Sequence, residues 1–170
     1  MHSRAHSLVH KFRQGGGTGY LDQATVLHRE ALELRPQGHP DRSYSLDKLA
    51  LCLWTRHKQL GAVADLEEAI FLNRQALELR QQEHPDRPYS LNNLALCLWT
   101  HYKQLGAVAD LEEAIVLNRK ALELCQQGHP IRSSSLNNLA LCLSTHYKQL
   151  GTVADLEEAV VLNRQALELC

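Results

Sequence analysis

Residues 81–125 read QQEHPDRPYSLNNLALCLWTHYKQLGAVADLEEAIVLNRKALELC. Leu91, Leu94, Ala95, Leu98 and Tyr102 recur at i, i+3, i+4 spacing, which predicts one buried face of a helix. Asp86, after Pro85, supplies a start signal, because proline suits the first turn and a carboxylate complements the helix dipole. Gly106 is expected to end that helix. A second helix is predicted to open at Asp110, its side chain capping while Glu113 answers from the capping-box position. The buried face of this helix is expected to carry Leu111, Ala114, Ile115, Ala121 and Leu122. No segment alternates with period two, so strands are not expected.

The same unit recurs along the whole chain. Residues 36–80 match 81–125 at 35 of 45 positions, and 126–170 match them at 37 of 45. Residues 1–35 are the last 35 positions of the unit, Gly16 corresponding to Gly61 and Leu21 to Leu66. The chain is therefore read as one domain, 1–170, made of a shortened first repeat (1–35) and three complete ones (36–80, 81–125 and 126–170). A lone hairpin leaves its apolar faces wet, whereas stacked copies cover one another. The expected architecture is all-α: a right-handed α-solenoid of about eight helices, first helices lining a concave wall and second helices behind. The first repeat reads as a worn cap, with Arg4 where later repeats have Leu and Gly15-Gly16-Gly17 loosening its turn. The last helix is still patterned to pack on a successor through Leu156, Val160 and Leu167. Either the array continues or that face meets another chain.

Composition narrows the function. Apolar residues make up 44% of the 170, as in an ordinary globular chain, and the formal net charge is −1, leaving no basic excess to draw in phosphate backbones. No apolar run reaches membrane-span length and no signal peptide is evident, so a cytoplasmic location is expected, without nucleic-acid or membrane partners. Cys52, Cys97 and Cys142 occupy one repeat position and Cys125 and Cys170 another. Equivalent positions on side-by-side helices lie about 8–10 Å apart, beyond disulfide reach, and no CxxC is present. The cysteines are read as small apolar residues, with no metal and no cofactor expected.

The unit resembles the tetratricopeptide repeat, specifically the long variety of the kinesin light chain class. His84-Pro85-Asp86 carries the turn of that class, and Leu91-Asn92-Asn93-Leu94-Ala95 its following helix. Ala114 and Ala121 match the small residues of its second helix. The combination HPDRxYSLxxLA, ADLEEAI and LNRxALEL is similar to fungal repeat arrays that precede a CHAT caspase-like protease domain. No such protease domain is present, so that activity does not carry over. Ala95 and Ala114 are farther apart than in the family, implying a longer first helix and wider turn. Asn73, Asn118 and Asn163 stand where the family often has an aromatic. A buried amide has to be hydrogen-bonded, so a structural row is expected there.

The resemblance places Tyr44, Asp47, Leu51 and Trp54, then Tyr89, Asn92, Leu96 and Trp99, then Asn137, Leu141 and Ser144, on the concave wall. It places Thr55, Thr100, Ser134 and Thr145 on the same wall. An aromatic stripe next to amides suits capture of a peptide, since aromatics lend area at small entropy cost and amides pair with a backbone. The competing reading is packing between repeats. A scaffold that binds a peptide or helical segment is the leading functional expectation. Self-assembly through the final helix (a homo-oligomer), or service as part of a larger fungal signalling protein, is the alternative. Enzymatic activity is not expected: the chain has no nucleophile triad, no phosphate loop and no HExxH motif. The His-Pro-Asp-Arg turns read as capping and salt-bridge devices. His2, His6 and His10 share a helix face, but the outer two lie about 12 Å apart along the axis, too far to share one metal.

Overall fold

The computed structural model describes residues 2–15 and 17–169; Gly16 and Cys170, both part of the repeat register above, lie outside the described residues. The side chains of His2 and Ser3 do so too. Eight helices follow one another: α1 (His2–Arg13), α2 (Gly19–Glu33), α3 (Arg42–Leu60), α4 (Val63–Glu78), α5 (Arg87–Leu105), α6 (Val108–Leu124), α7 (Arg132–Leu150) and α8 (Val153–Leu167). They pair within the sequence repeats, α1 with α2, α3 with α4, α5 with α6 and α7 with α8. The fold is thus all-α, built from helix-turn-helix repeats. Helices group into two compact units, Met1–Gln81 and Gln82–Cys170.

Local chemistry explains the helix boundaries. Gly61, Gly106 and Gly151 end α3, α5 and α7 with φ of 71°, 75° and 75°. Each amide donates back to a carbonyl four residues earlier, His57, Tyr102 and Tyr147, at 2.7 Å. Only glycine takes that left-handed conformation without a Cβ penalty. At 19 residues, α5 has the extra length that the Ala95–Ala114 spacing implies.

Two expectations change at the second helix. It starts at Val108, with Ala107 as N-cap and no side-chain cap bond, so the Asp110–Glu113 capping box does not form. The Asp110 carboxylate instead accepts a hydrogen bond from His101 Nδ1 on α5 at 2.6 Å. Its counterpart Asp155 does the same with His146 at 2.7 Å. In the first unit Arg56 holds Asp65 bidentately, at 2.6 Å through Nε, and Asp65 raises that guanidinium above its ordinary range. In each complete repeat this aspartate therefore ties the second helix to the first through side-chain hydrogen bonds, and does not cap the helix end.

The cores follow the predicted stripes. In the first unit Leu46, Leu49, Leu53, Leu66, Ala69 and Ala76 are buried; in the second, Leu94, Leu98, Leu111, Ala114, Ala121 and Leu139 are. Fully buried alanines on each second helix let the paired axes approach closely, the distance at which ridges enter grooves. The His-Pro turns serve as clips between successive hairpins. His39 Nδ1 accepts the Asp41 amide at 3.1 Å, and His129 Nδ1 accepts that of Ile131 at 3.4 Å. Arg42 and Arg132 reach back to the carbonyls of Arg35 and Cys125 at the end of the preceding helix. Because Ile131 replaces the aspartate and the clip persists, His and Arg carry it.

Candidate functional site

The residues assigned to the wall lie along one side of each first helix. On α3, in the first unit, Tyr44 is exposed, Leu51 and Trp54 are half-buried and Asp47 is buried. Lys48 Nζ lies 5.0 Å from the Tyr44 ring centre and Lys58 Nζ 5.1 Å from that of Trp54, so both rings carry a cation on one face. Asp47 is not open to a ligand. Its carboxylate ion-pairs with Arg80, whose side chain is only 2% exposed.

The second unit sets α5 beside α7. Tyr89, Asn137 and Leu141 are exposed, and Asn92, Leu96, Trp99 and Ser144 are half-buried. A seam of hydrogen bonds joins the two helices. Asn138 Nδ2 donates to Asn92 Oδ1 at 2.9 Å, Trp99 Nε1 to Thr145 Oγ1 at 3.3 Å, and the Tyr102 hydroxyl to Gln149 Oε1 at 3.2 Å. The Thr145 hydroxyl spends its own proton on the Leu141 carbonyl at 2.7 Å, leaving a lone pair for the indole. The Tyr89 ring sits 5.8 Å from that of His129. Asn92 and Trp99 therefore take part in packing between repeats while each keeps part of its surface in solvent. What remains outward is apolar area from Leu96, Leu141 and the Trp99 ring, with Asn137 and Tyr89 exposed nearer the starts of α7 and α5.

Sequence reasoning missed Arg80, Asn138 and Gln149, and named Thr145 without its bond to Trp99. A signal for the first was present. Asp47 and Arg80 both depart from the later repeats, which carry Asn92 with Cys125 and Asn137 with Cys170. Among the positions at which this repeat departs from the next, opposite charge at these two is the signal that could have joined them.

The asparagine row divides by position in the stack. Asn73 and Asn118 are buried, and the Asn118 amide donates to Cys142 Sγ at 3.5 Å. Asn163 is exposed, because α8 carries no further helix on that face. Cys52, Cys97, Cys125 and Cys142 are buried free thiols. Burial raises the pKa of Cys52, Cys125 and Cys142 above the ordinary 9.0, that of Cys142 to about 12, against the smaller opposing pull of the Asn118 amide. These thiols stay protonated in the folded chain while those of the unfolded chain ionise near pH 9. Their contribution is therefore complete below pH 9 and declines as pH rises from 9 toward 12. Urea unfolding at pH 8 and pH 10.5 is expected to give a lower midpoint at the higher pH, with the drop reduced in Cys142→Ala relative to its own pH 8 value.

Residues 89–131 match the tetratricopeptide repeat family model. A Podospora anserina protein, named for nearly identical TPR-like repeats of kinesin light chain type, has a similar crystal structure. That structure superposes with TM-score 0.67 at 24% identity, covering 97% of this chain and 72% of the other. A variant of the Podospora protein gives TM-score 0.69 at 22% identity with the same coverage. The described helices share the fold of these tetratricopeptide-like repeats. The likeness is one of fold, an array of helix-turn-helix repeats. No curated protein matches the sequence. Among the described residues of this repeat array, no helix is long and apolar enough to cross a membrane.

Proposed function

We propose that this repeat array is a scaffold that binds a peptide or helical segment on the wall made by its first helices. The observation that carries the reading is the state of Trp99. Its indole N–H is held by Thr145 while the ring stays half-exposed beside Leu96 and the exposed Leu141. A ring already fixed in place loses little entropy on binding, so its apolar area counts nearly in full. Asn137 and Tyr89, both exposed nearer the starts of α7 and α5, add groups able to pair with a peptide backbone. Tyr44, Leu51 and Trp54 offer a comparable stripe on the first unit, there with lysines over the rings. Asp47 supports the wall from beneath, through Arg80.

Selection of displayed random dodecapeptides on the whole chain supplies probes whose binding can be compared with that of Trp99→Ala/Asn92→Ala. Loss of a central tryptophan is expected to weaken selected peptides at least about tenfold, with helix content retained in far-ultraviolet circular dichroism. Peptides that bind the folded double variant as tightly as the parent would refute the wall as the binding surface.

A further inference from the structure

Helix α8 repeats the face by which α6 packs on α7. On α6 that face includes Leu111, Ile115 and Asn118, which are 0%, 9% and 0% exposed. Beside it Arg119 is ion-paired with Glu158 at 2.6 Å. At the same register α8 presents Leu156 and Val160, 38% and 44% exposed, with Asn163 and Leu167 also exposed. Arg164, the counterpart of Arg119, forms no ion pair among the described residues. The result is an apolar stripe with one cation on its flank and exposed Glu157 one turn pair earlier on the same flank.

Two end faces of a second copy are candidates to cover it, and they differ in chemistry. The face of α1 and α2 places Arg4 and Ser7, both exposed, where interior repeats bury Leu49 and Cys52 or Leu139 and Cys142. It also has Gln23 in place of Glu68 and Glu158, the glutamates that pair with Arg29 and Arg119. Head-to-tail stacking would set the Arg4 charge on Leu156 and Val160 and face Arg164 with a neutral amide, a desolvation cost without return. The stripe on α8 is instead self-complementary when reversed. With two copies antiparallel about an axis near Val160, each Val160 meets its counterpart, Val153 meets the partner's Leu167, and Glu157 meets the partner's Arg164.

We propose that α8 docks on α8 of a second copy of this chain, giving a closed two-fold dimer. This surface is separate from the wall assigned to peptide binding. A closed isologous contact stops at two copies, unlike head-to-tail growth. One four-turn helix face on another covers roughly 1,000 Å² in total, at the low end of specific interfaces, so association in the micromolar range is expected.

Sedimentation velocity on the whole chain from 5 to 500 µM tests this. The expected result is a mass that doubles from 19.2 kDa and then stops. Val160→Asp, at an exposed position, should keep its helix content and raise the dimer dissociation constant at least tenfold. Arg164→Glu alone should weaken the dimer, and Glu157→Arg/Arg164→Glu should restore it. A monomer throughout the concentration range overturns the proposal. So does mass growth beyond two copies, or a charge exchange that fails to restore association.

Discussion

Asp47→Ala is expected to destabilise the first unit by about 3 kcal/mol, because it removes the carboxylate that ion-pairs with the buried Arg80 guanidinium. The carboxylate is buried and Arg80 is almost wholly so. Removing one partner of such a pair costs more than the pair contributes, since the remaining charge keeps its desolvation penalty and loses its attraction. The later repeats indicate the compensating change. Asn and Cys stand at these two positions in 81–125, as Asn92 and Cys125. Asp47→Asn/Arg80→Cys is therefore expected to recover most of what Asp47→Ala loses. The two effects should be far from additive. Urea denaturation of the three proteins, followed by circular dichroism, measures both the loss and its recovery. A loss below about 1 kcal/mol for Asp47→Ala would mean that the pair is not buried in solution.

The second large effect uses the repeat as its own control. Leu111 and Leu156 are the same residue at the same register, in identical ADLEEA contexts. Leu111 is fully buried and Leu156 is 38% exposed. Leu111→Ala should cost about 3 kcal/mol, the lost transfer energy plus the cavity left behind. Leu156→Ala should cost about 1 kcal/mol in the monomer, because its site opens to water and leaves little cavity. Equal costs would show that repeat register, rather than the neighbouring helix, sets the energetic role of this leucine. Measurement at concentrations well below dimer formation keeps the α8 contact out of the comparison.

Much of the fold was legible because it is local. The 3.6-residue spacing of Leu91, Leu94, Ala95 and Leu98 names a buried face without reference to any partner. Gly106 stops its helix because its φ of 75° is available to glycine at little cost. The row of first-helix residues was legible as one helix face, but its contacts were not. Asn92 meets Asn138, and Trp99 meets Thr145, across the α5–α7 seam. Those partners lie 46 positions away, one more than the repeat length, an offset set by how neighbouring first helices slide past each other. The capping box failed for a similar reason. Asp110 had two ways to satisfy its carboxylate, and the imidazole of His101, brought close by the hairpin, displaced the local amide.

By itself, the sequence determined an all-α array of 45-residue hairpins, the ends of its first helices and the stripes that make its cores. Those features rest on backbone propensity and periodicity within a few turns. Only the tertiary structure decided which copies of a repeated residue are covered. Asn118 is buried against α7 and its twin Asn163 is exposed; Asp47 is buried with Arg80 while its counterpart Asn137 faces solvent. Burial and charge pairing depend on what the neighbouring helix brings within a few ångströms, and identical residues acquire different energies when that neighbour differs.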